Sequence, residues 1–176
     1  MKIVVIQGSP LAEDSTYQVA RFLNAALQER SQVQLSYFDV AQIQAPNFAF
    51  DAEFEAKEPL REAILAADGI LVIVPEYNGR VPGAFKNLMD YYWKEFAKKA
   101  MATCTVSSGP FGGLNALHDL RSWMLYVGGI VSPTKLLVSN VSKAFNEVGE
   151  PIDSHLASNW KPFLDDFLWL AHKLRD

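Results

Sequence analysis

Three stretches break off strand-forming runs with residues suited to hold a ligand. In "QGSPLAEDST" (7–16), Gly8 and Ser9 directly follow an apolar run, and Ser15 and Thr16 stand where helical periodicity begins. Hydroxyls and free backbone N–H groups at a helix start, with the helix dipole behind them, make a seat for a phosphate monoester. Ser15 or Asp14 serving only as a helix cap accounts for the same residues. The stretch has no lysine for a Gly-Lys-Ser/Thr phosphate loop, and one glycine where a dinucleotide fingerprint needs three.

In "PEYNGRVPG" (75–83), two prolines, two glycines and an asparagine fix an irregular backbone path, and Tyr77 offers a flat apolar face for an aromatic ring system. The alternative is a purely structural connection with Glu76 in solvent and Tyr77 in the core. "SSGPFGG" (107–113) adds three glycines and two serines, allowing close approach of backbone to a ligand.

Side-chain chemistry is sparse elsewhere. His118, His155 and His172 have no metal-ligand spacing and read as surface or packing residues. Asp165 and Asp166 are helix neighbours that point apart. The single cysteine, Cys104, lies in "MATCTVSS" and reads as a small apolar residue in a reducing compartment. A phosphorylated receiver domain needs an aspartate where Pro75 stands. The expectation is that no metal is held, and no side chain stands out as a nucleophile.

The elements that must position these stretches alternate between strands and helices, the pattern of an α/β domain with a parallel sheet. "KIVVIQ" (2–7), "GILVIV" (69–74) and "MATCTV" (101–106) lack in/out alternation and read as interior strands covered on both faces. "VQLSYF" (33–38) alternates, and "GIVSPTKLLVS" (129–139) carries Pro133; both read as edges. Helices are expected over Thr16–Arg30, Pro59–Ala67, Pro82–Lys98, after Gly113, and over Asn159–Leu174. The third of these would bury Phe85, Leu88, Met89, Tyr92, Trp93 and Phe96, with Tyr91 off that stripe. Residues 39–57 and 140–155 show no clear period, and both carry aromatics that could cover something.

Five parallel strands in a doubly wound domain most often take the order 2-1-3-4-5, with ligands above the carboxyl ends of strands 1 and 3, where the winding reverses. The first two ligand stretches leave those strands and should lie side by side.

With 176 residues, 49% hydrophobic and 20% charged, the chain reads as one ordinary folded domain spanning 1–176. A formal net charge of −4, with no basic run longer than Lys98–Lys99, excludes nucleic acid as a natural partner. The apolar run at the start is too short for a signal peptide, and no segment approaches the roughly 18 apolar residues of a membrane span. The chain reads as cytoplasmic.

On these residues the sequence resembles the NADPH-dependent FMN reductase family of flavodoxin-like oxidoreductases, which includes azo-dye, chromate and quinone reductases. The likeness runs from the first strand to about residue 130. Its most specific element is "PEYNGRVPGAFKNLMDY", matching the family's Pro-Glu-Tyr-Asn, a spacer, Pro-Gly, then Lys-Asn with an Asp three residues on. "GSP" with the later "ST", and "SSGPFGG", agree with the family's other two loops.

The resemblance implies a flavodoxin-like fold and FMN as cofactor, with NADPH or NADH as hydride donor. It implies that Ser9, Ser15 and Thr16 hold the FMN phosphate, that Pro75, Glu76, Tyr77, Asn78 and Gly79 line the isoalloxazine, and that Ser108, Gly109, Gly112 and Gly113 close its other edge. It also implies a ping-pong reaction with a small acceptor (free FMN, a quinone, an azo or nitro compound), and a homodimer or homotetramer with the aromatic helix after Pro82 at the interface. Two positions depart from the pattern. Leu11 replaces a common arginine and is followed by Glu13 and Asp14, and Arg80 stands where serine is frequent. Arg80 is a candidate to replace the missing charge or to face the nicotinamide cofactor's phosphate. A non-catalytic flavin carrier or a ligand sensor on the same scaffold is the alternative function.

Overall fold

The computed structural model describes residues 1–175. Strands β1 (Lys2–Gln7), β2 (Gln34–Asp39), β3 (Gly69–Pro75), β4 (Ala100–Val106) and β5 (Ile130–Val138) form a parallel sheet in the order β2-β1-β3-β4-β5. Every residue of β3 and β4 is buried, as unalternating runs of Ile, Val, Leu and Ala require when helices cover both faces. The two expected edge strands stand at the edges. In β5, Pro133 sits in a bulge: Met101 pairs with Val131, but Thr103 pairs with Lys135. A residue without an N–H is tolerated where pairing is already interrupted. Arg121 crosses to the bulge and donates to the carbonyls of Ser132, Pro133 and Thr134.

Helices are α1 (Ser15–Gln28), α2 (Val40–Ile43), α3 (Lys57–Ala66), α4 (Gly83–Met89), α5 (Leu114–Tyr126) and α6 (Ser154–Lys173), with 3-10 turns at Lys94–Phe96 and Val141–Lys143. Val19, Leu23 and Leu27 of α1 pack with Phe163 and Phe167 of α6 on one sheet face. Leu60 and Ile64 of α3, Phe85 and Leu88 of α4 and Leu120 of α5 cover the other. Val5 and Ile73 point to the first layer, Ile6 and Val72 to the second, the period-2 division of buried strands. Cys104 is fully buried, and burial pushes its thiol pKa up. Among the described residues no helix is long and apolar enough to cross a membrane.

Three expectations need correction. The helix expected over Pro82–Lys98 ends at Met89. The Tyr91 hydroxyl donates to the Pro46 and Asn47 carbonyls (3.1 Å each) and that of Tyr92 to the Lys57 carbonyl (3.0 Å). Glu95 accepts from the Trp93 N–H, and Lys98 takes a positive φ of 63°. Long-range contacts of the tyrosines thus override local helical periodicity. As a result Tyr91 is buried, while Trp93, expected in the core, is 58% exposed and stacks on Tyr126. The last helix begins at Ser154, five residues earlier than Asn159, because the Asp153 carboxylate accepts from the Leu156 N–H and caps it. Residues 39–57 contain the extra helix α2, capped by Asp39 through the Ala41 N–H. The remainder of that segment lays Phe48 and Phe54 against Tyr91.

Candidate functional site

The three ligand stretches leave the carboxyl ends of β1, β3 and β4. Register places Gln7 beside Ile73 and Pro75 beside Val106. They are neighbours, as the strand order demands. The first loop is anchored at its root by the Gly8 N–H, which donates to the Ile73 carbonyl (2.8 Å). A Cβ at Gly8 would lie 2.6 Å from Val74 and 2.8 Å from the Phe85 ring, so only glycine fits against β3 and α4.

The second loop is a preformed hairpin. Tyr77 and Arg80 exchange two backbone hydrogen bonds of 3.0 Å, and Asn78 (φ 51°) and Gly79 (φ 74°) form the two-residue tip. Positive φ at both central residues is the type I′ turn, for which Asn-Gly is the preferred pair. The Asn78 and Gly79 N–H groups meet no acceptor among the described residues. Tyr77 is half-exposed, with its hydroxyl 3.5 Å from Ser9 Oγ. Arg80 is exposed and donates to the Gly79 carbonyl. The Val81 N–H donates to Asp119 of α5 (3.2 Å).

Glu76 is not left in solvent, as a purely structural connection would leave it. Its Oε2 accepts from the N–H groups of Asn115 (2.9 Å) and Ala116 (3.1 Å), at the start of α5. Because the α5 N-cap is Gly113, without a side chain, Glu76 supplies the missing cap and an anion at the positive helix end. It ties the second loop to the third.

In the third loop Gly112 (φ 61°) and Gly113 (φ 78°) make the bend into α5, and Thr105 Oγ1 donates to the Gly112 carbonyl (2.7 Å). Added Cβ atoms there would press on Leu137 and Thr105, so the protein's own packing requires these glycines. Gly109 is different: nothing lies within 4 Å of a Cβ built on it. Its carbonyl is held by the Asn140 N–H and by Ser107 Oγ. The Ser108 and Gly109 N–H groups meet no acceptor among the described residues.

The first loop closes on itself. Asp14 caps α1, its Oδ1 accepting from the Tyr17 N–H (2.9 Å) and its Oδ2 from the Ser9 hydroxyl (2.6 Å). Ser9 Oγ also accepts from the Leu11 N–H, and the Ser9 N–H donates to Gln7 Oε1 (2.8 Å). Ser9 and Thr16 are buried and Ser15 is exposed; the Ser15 and Thr16 N–H groups meet no acceptor among the described residues. An open groove of about 960 Å³ runs from Glu13, Asp14 and Ser15 along α1 to Glu147–Gly149. Beneath the loop, Gln7 Nε2 and the Tyr37 hydroxyl are buried without hydrogen-bond partners. Burial raises the pKa of Tyr37 and of the buried Asp39 beside Gln7.

For a planar heterocycle with a phosphate tail, the fit divides. Second and third loops offer an aromatic side chain, unpaired amides and open space at Gly109. The first loop offers the Ser15 and Thr16 amides, but its Ser9 hydroxyl is engaged by Asp14. Asp14 caps α1 as an Asp directly before a helical period suggests, but its bond to Ser9 and the contacts of Gln7, Asn115 and Asp119 had no local signal in the sequence. The three histidines are exposed, and no metal-binding cluster occurs among the described residues.

Residues 1–143 match the family model described as NADPH-dependent FMN reductase. A relative named NADPH azoreductase, from Bacillus sp. (strain OY1-2), is 30% identical over 154 residues, covering 85% of this chain and 83% of its own. A quinone reductase from Pseudomonas putida is 27% identical over 174 residues, covering 94% and 90%. Among solved structures, the flavoenzyme FerB, an NAD(P)H:(acceptor) oxidoreductase from Paracoccus denitrificans, superposes with a TM-score of 0.83 at 22% identity, covering 98% of this chain and 97% of the other. A flavodoxin from the domain Archaea gives 0.66 at 16% identity, covering 100% of both. The fold is flavodoxin-like, and the chain belongs to the NADPH-dependent FMN reductase family of oxidoreductases.

Proposed function

We propose that residues 1–176 act as one FMN-binding domain that oxidises NADPH or NADH and reduces a quinone, an azo compound, free FMN or a similar small acceptor. The observation that carries this reading is the joining of three loops above β1, β3 and β4. Tyr77 approaches Ser9, and the Glu76 carboxylate grips the α5 amides. The names of the azoreductase and quinone reductase relatives support the acceptor class.

When bound, the flavin supplies the chemistry by taking hydride from the nicotinamide and passing electrons to an acceptor that enters the same cleft after the donor leaves. The chain's part is to bind and orient. Pro75 ends β3 and sets the exit direction of the second loop. Tyr77 presents its ring face, and the Asn78, Gly79, Ser108 and Gly109 amides read the heterocycle's polar edges. Gly112 and Gly113 hold the third loop in its bend, and Glu76 fixes its distance from the second. Such donors, fixed before the ligand arrives, need no reorganisation as charge develops on the ring. Ser15 and Thr16 present amides to the phosphate end. Arg80, exposed beside the hairpin tip, is placed to meet the phosphate of the nicotinamide donor. The exposed Trp93–Tyr126 stack, with exposed Leu125, supports a homodimer or homotetramer through the α4–α5 face. We assign the protein to the cytoplasm from its single buried thiol.

The test is the visible spectrum of the purified protein with FMN under argon. Addition of NADPH should bleach the flavin band, and a quinone should restore it. A protein that takes up no flavin, or whose bound flavin stays oxidised with NADPH and NADH alike, contradicts the proposal.

A further inference from the structure

The Asp14 carboxylate accepts from the Ser9 hydroxyl and from the Tyr17 N–H, within the loop that the flavin reading assigns to the flavin's terminal phosphate. We propose that Asp14 is a specificity-determining residue that stands in for that phosphate, so that this chain takes uncharged isoalloxazines such as riboflavin as readily as FMN. The inference rests on the flavin reading of the site.

Four features support it. First, residues 7–16 contain no Lys or Arg, and Leu11 is exposed. No cation in the loop offsets a dianion brought beside Asp14. Second, Glu13 and the buried Asp39 add two more carboxylates to the same end of the sheet. Third, the one proton of the Ser9 hydroxyl is committed to Asp14, its oxygen accepts from the Leu11 N–H, and the Ser9 N–H donates to Gln7. Releasing it for a phosphate would leave the buried Ser9 and the α1 cap to find new partners, a cost that an uncharged ribityl end avoids. Fourth, the parts that would read the ring are fixed without the first loop. The Asn78–Gly79 hairpin closes on its own backbone, and Glu76 ties it to α5. Ring recognition therefore does not depend on a filled phosphate seat.

The experiment is a fluorescence-quenching titration of the full chain with FMN and, separately, with riboflavin, for the wild type, Asp14→Asn and Asp14→Ser. Both replacements preserve an acceptor for the Tyr17 amide, since Asn and Ser are good helix caps, and unfolding midpoints check that the fold is kept. The wild type should bind the two flavins within about threefold of each other. Asp14→Asn should tighten FMN by about tenfold or more and leave riboflavin unchanged to within about threefold, a loss of charge repulsion felt only by the phosphate. A wild type that already prefers FMN by about tenfold, or a replacement that shifts both flavins equally, overturns the role of Asp14 while leaving the flavin site standing. Failure of either flavin to bind any of the three proteins overturns the flavin site and this inference with it.

Discussion

The loops after β1 and β3 meet at Ser9 and Tyr77, yet they satisfy their polar groups in opposite ways. The second loop spends its backbone pairs on a two-residue hairpin and leaves its tip amides without partners. Its one carboxylate, Glu76, reaches across to a helix start that has no cap of its own. The first loop turns its carboxylate inward, onto its own serine and its own helix. Both use the same physics, an anion at a helix N-terminus, but one use builds a platform between loops and the other occupies a seat. A carboxylate that caps a neighbour's helix stiffens a site; one that caps its own helix competes with what the site would bind.

Substitutions can break this contrast at graded cost. Gly8→Ala attacks the root the two loops share. Its Cβ would overlap the fully buried Val74 and Phe85, for a loss of about 1–3 kcal/mol and several degrees in Tm, read by thermal and urea unfolding. Glu76→Ala should cost about 1–2 kcal/mol by uncapping α5, and Glu76→Gln, which keeps the acceptor, clearly less. Equal losses would mean that charge, not the cap bond, matters. Asp14→Ala should cost about 1 kcal/mol and Asp14→Asn close to nothing, because only the first removes the α1 cap. The smallest effect concerns Asp39, whose folded pKa is raised by burial. Between the ordinary carboxylate value and that raised one, the folded state keeps a proton that the unfolded chain has released, so stability falls as pH rises through this interval. Asp39→Asn keeps the α2 cap and should flatten that part of a plot of urea midpoint against pH; an unchanged slope would clear Asp39.

Much of the architecture was legible because it rests on local rules. Runs such as "GILVIV" and "MATCTV" can only be interior strands, and Pro133 can only sit where pairing is broken. The Asn-Gly pair at residues 78–79 announces a turn, and Asp153 announces a helix start that a search for apolar period alone places too late. What stayed hidden depends on partners far along the chain. The end of α4 is set by Tyr91 and Tyr92 bonding to Pro46, Asn47 and Lys57, 35 to 45 residues away. The cap that Glu76 supplies to α5 was hidden because its partners, Asn115 and Ala116, lie 39 and 40 residues downstream. Trp93 read as core because the period that placed it there had already ended.

The most direct test of a flavin seated on these loops is an amide NMR titration of the isotope-labelled chain with FMN. Shifts should concentrate at Asn78, Gly79, Ser108 and Gly109, with the far end of the sheet around Met1, Arg30 and His172 unmoved. Shifts confined to that far end, or to the α1 groove alone, would contradict a flavin lying across the crests of β1, β3 and β4.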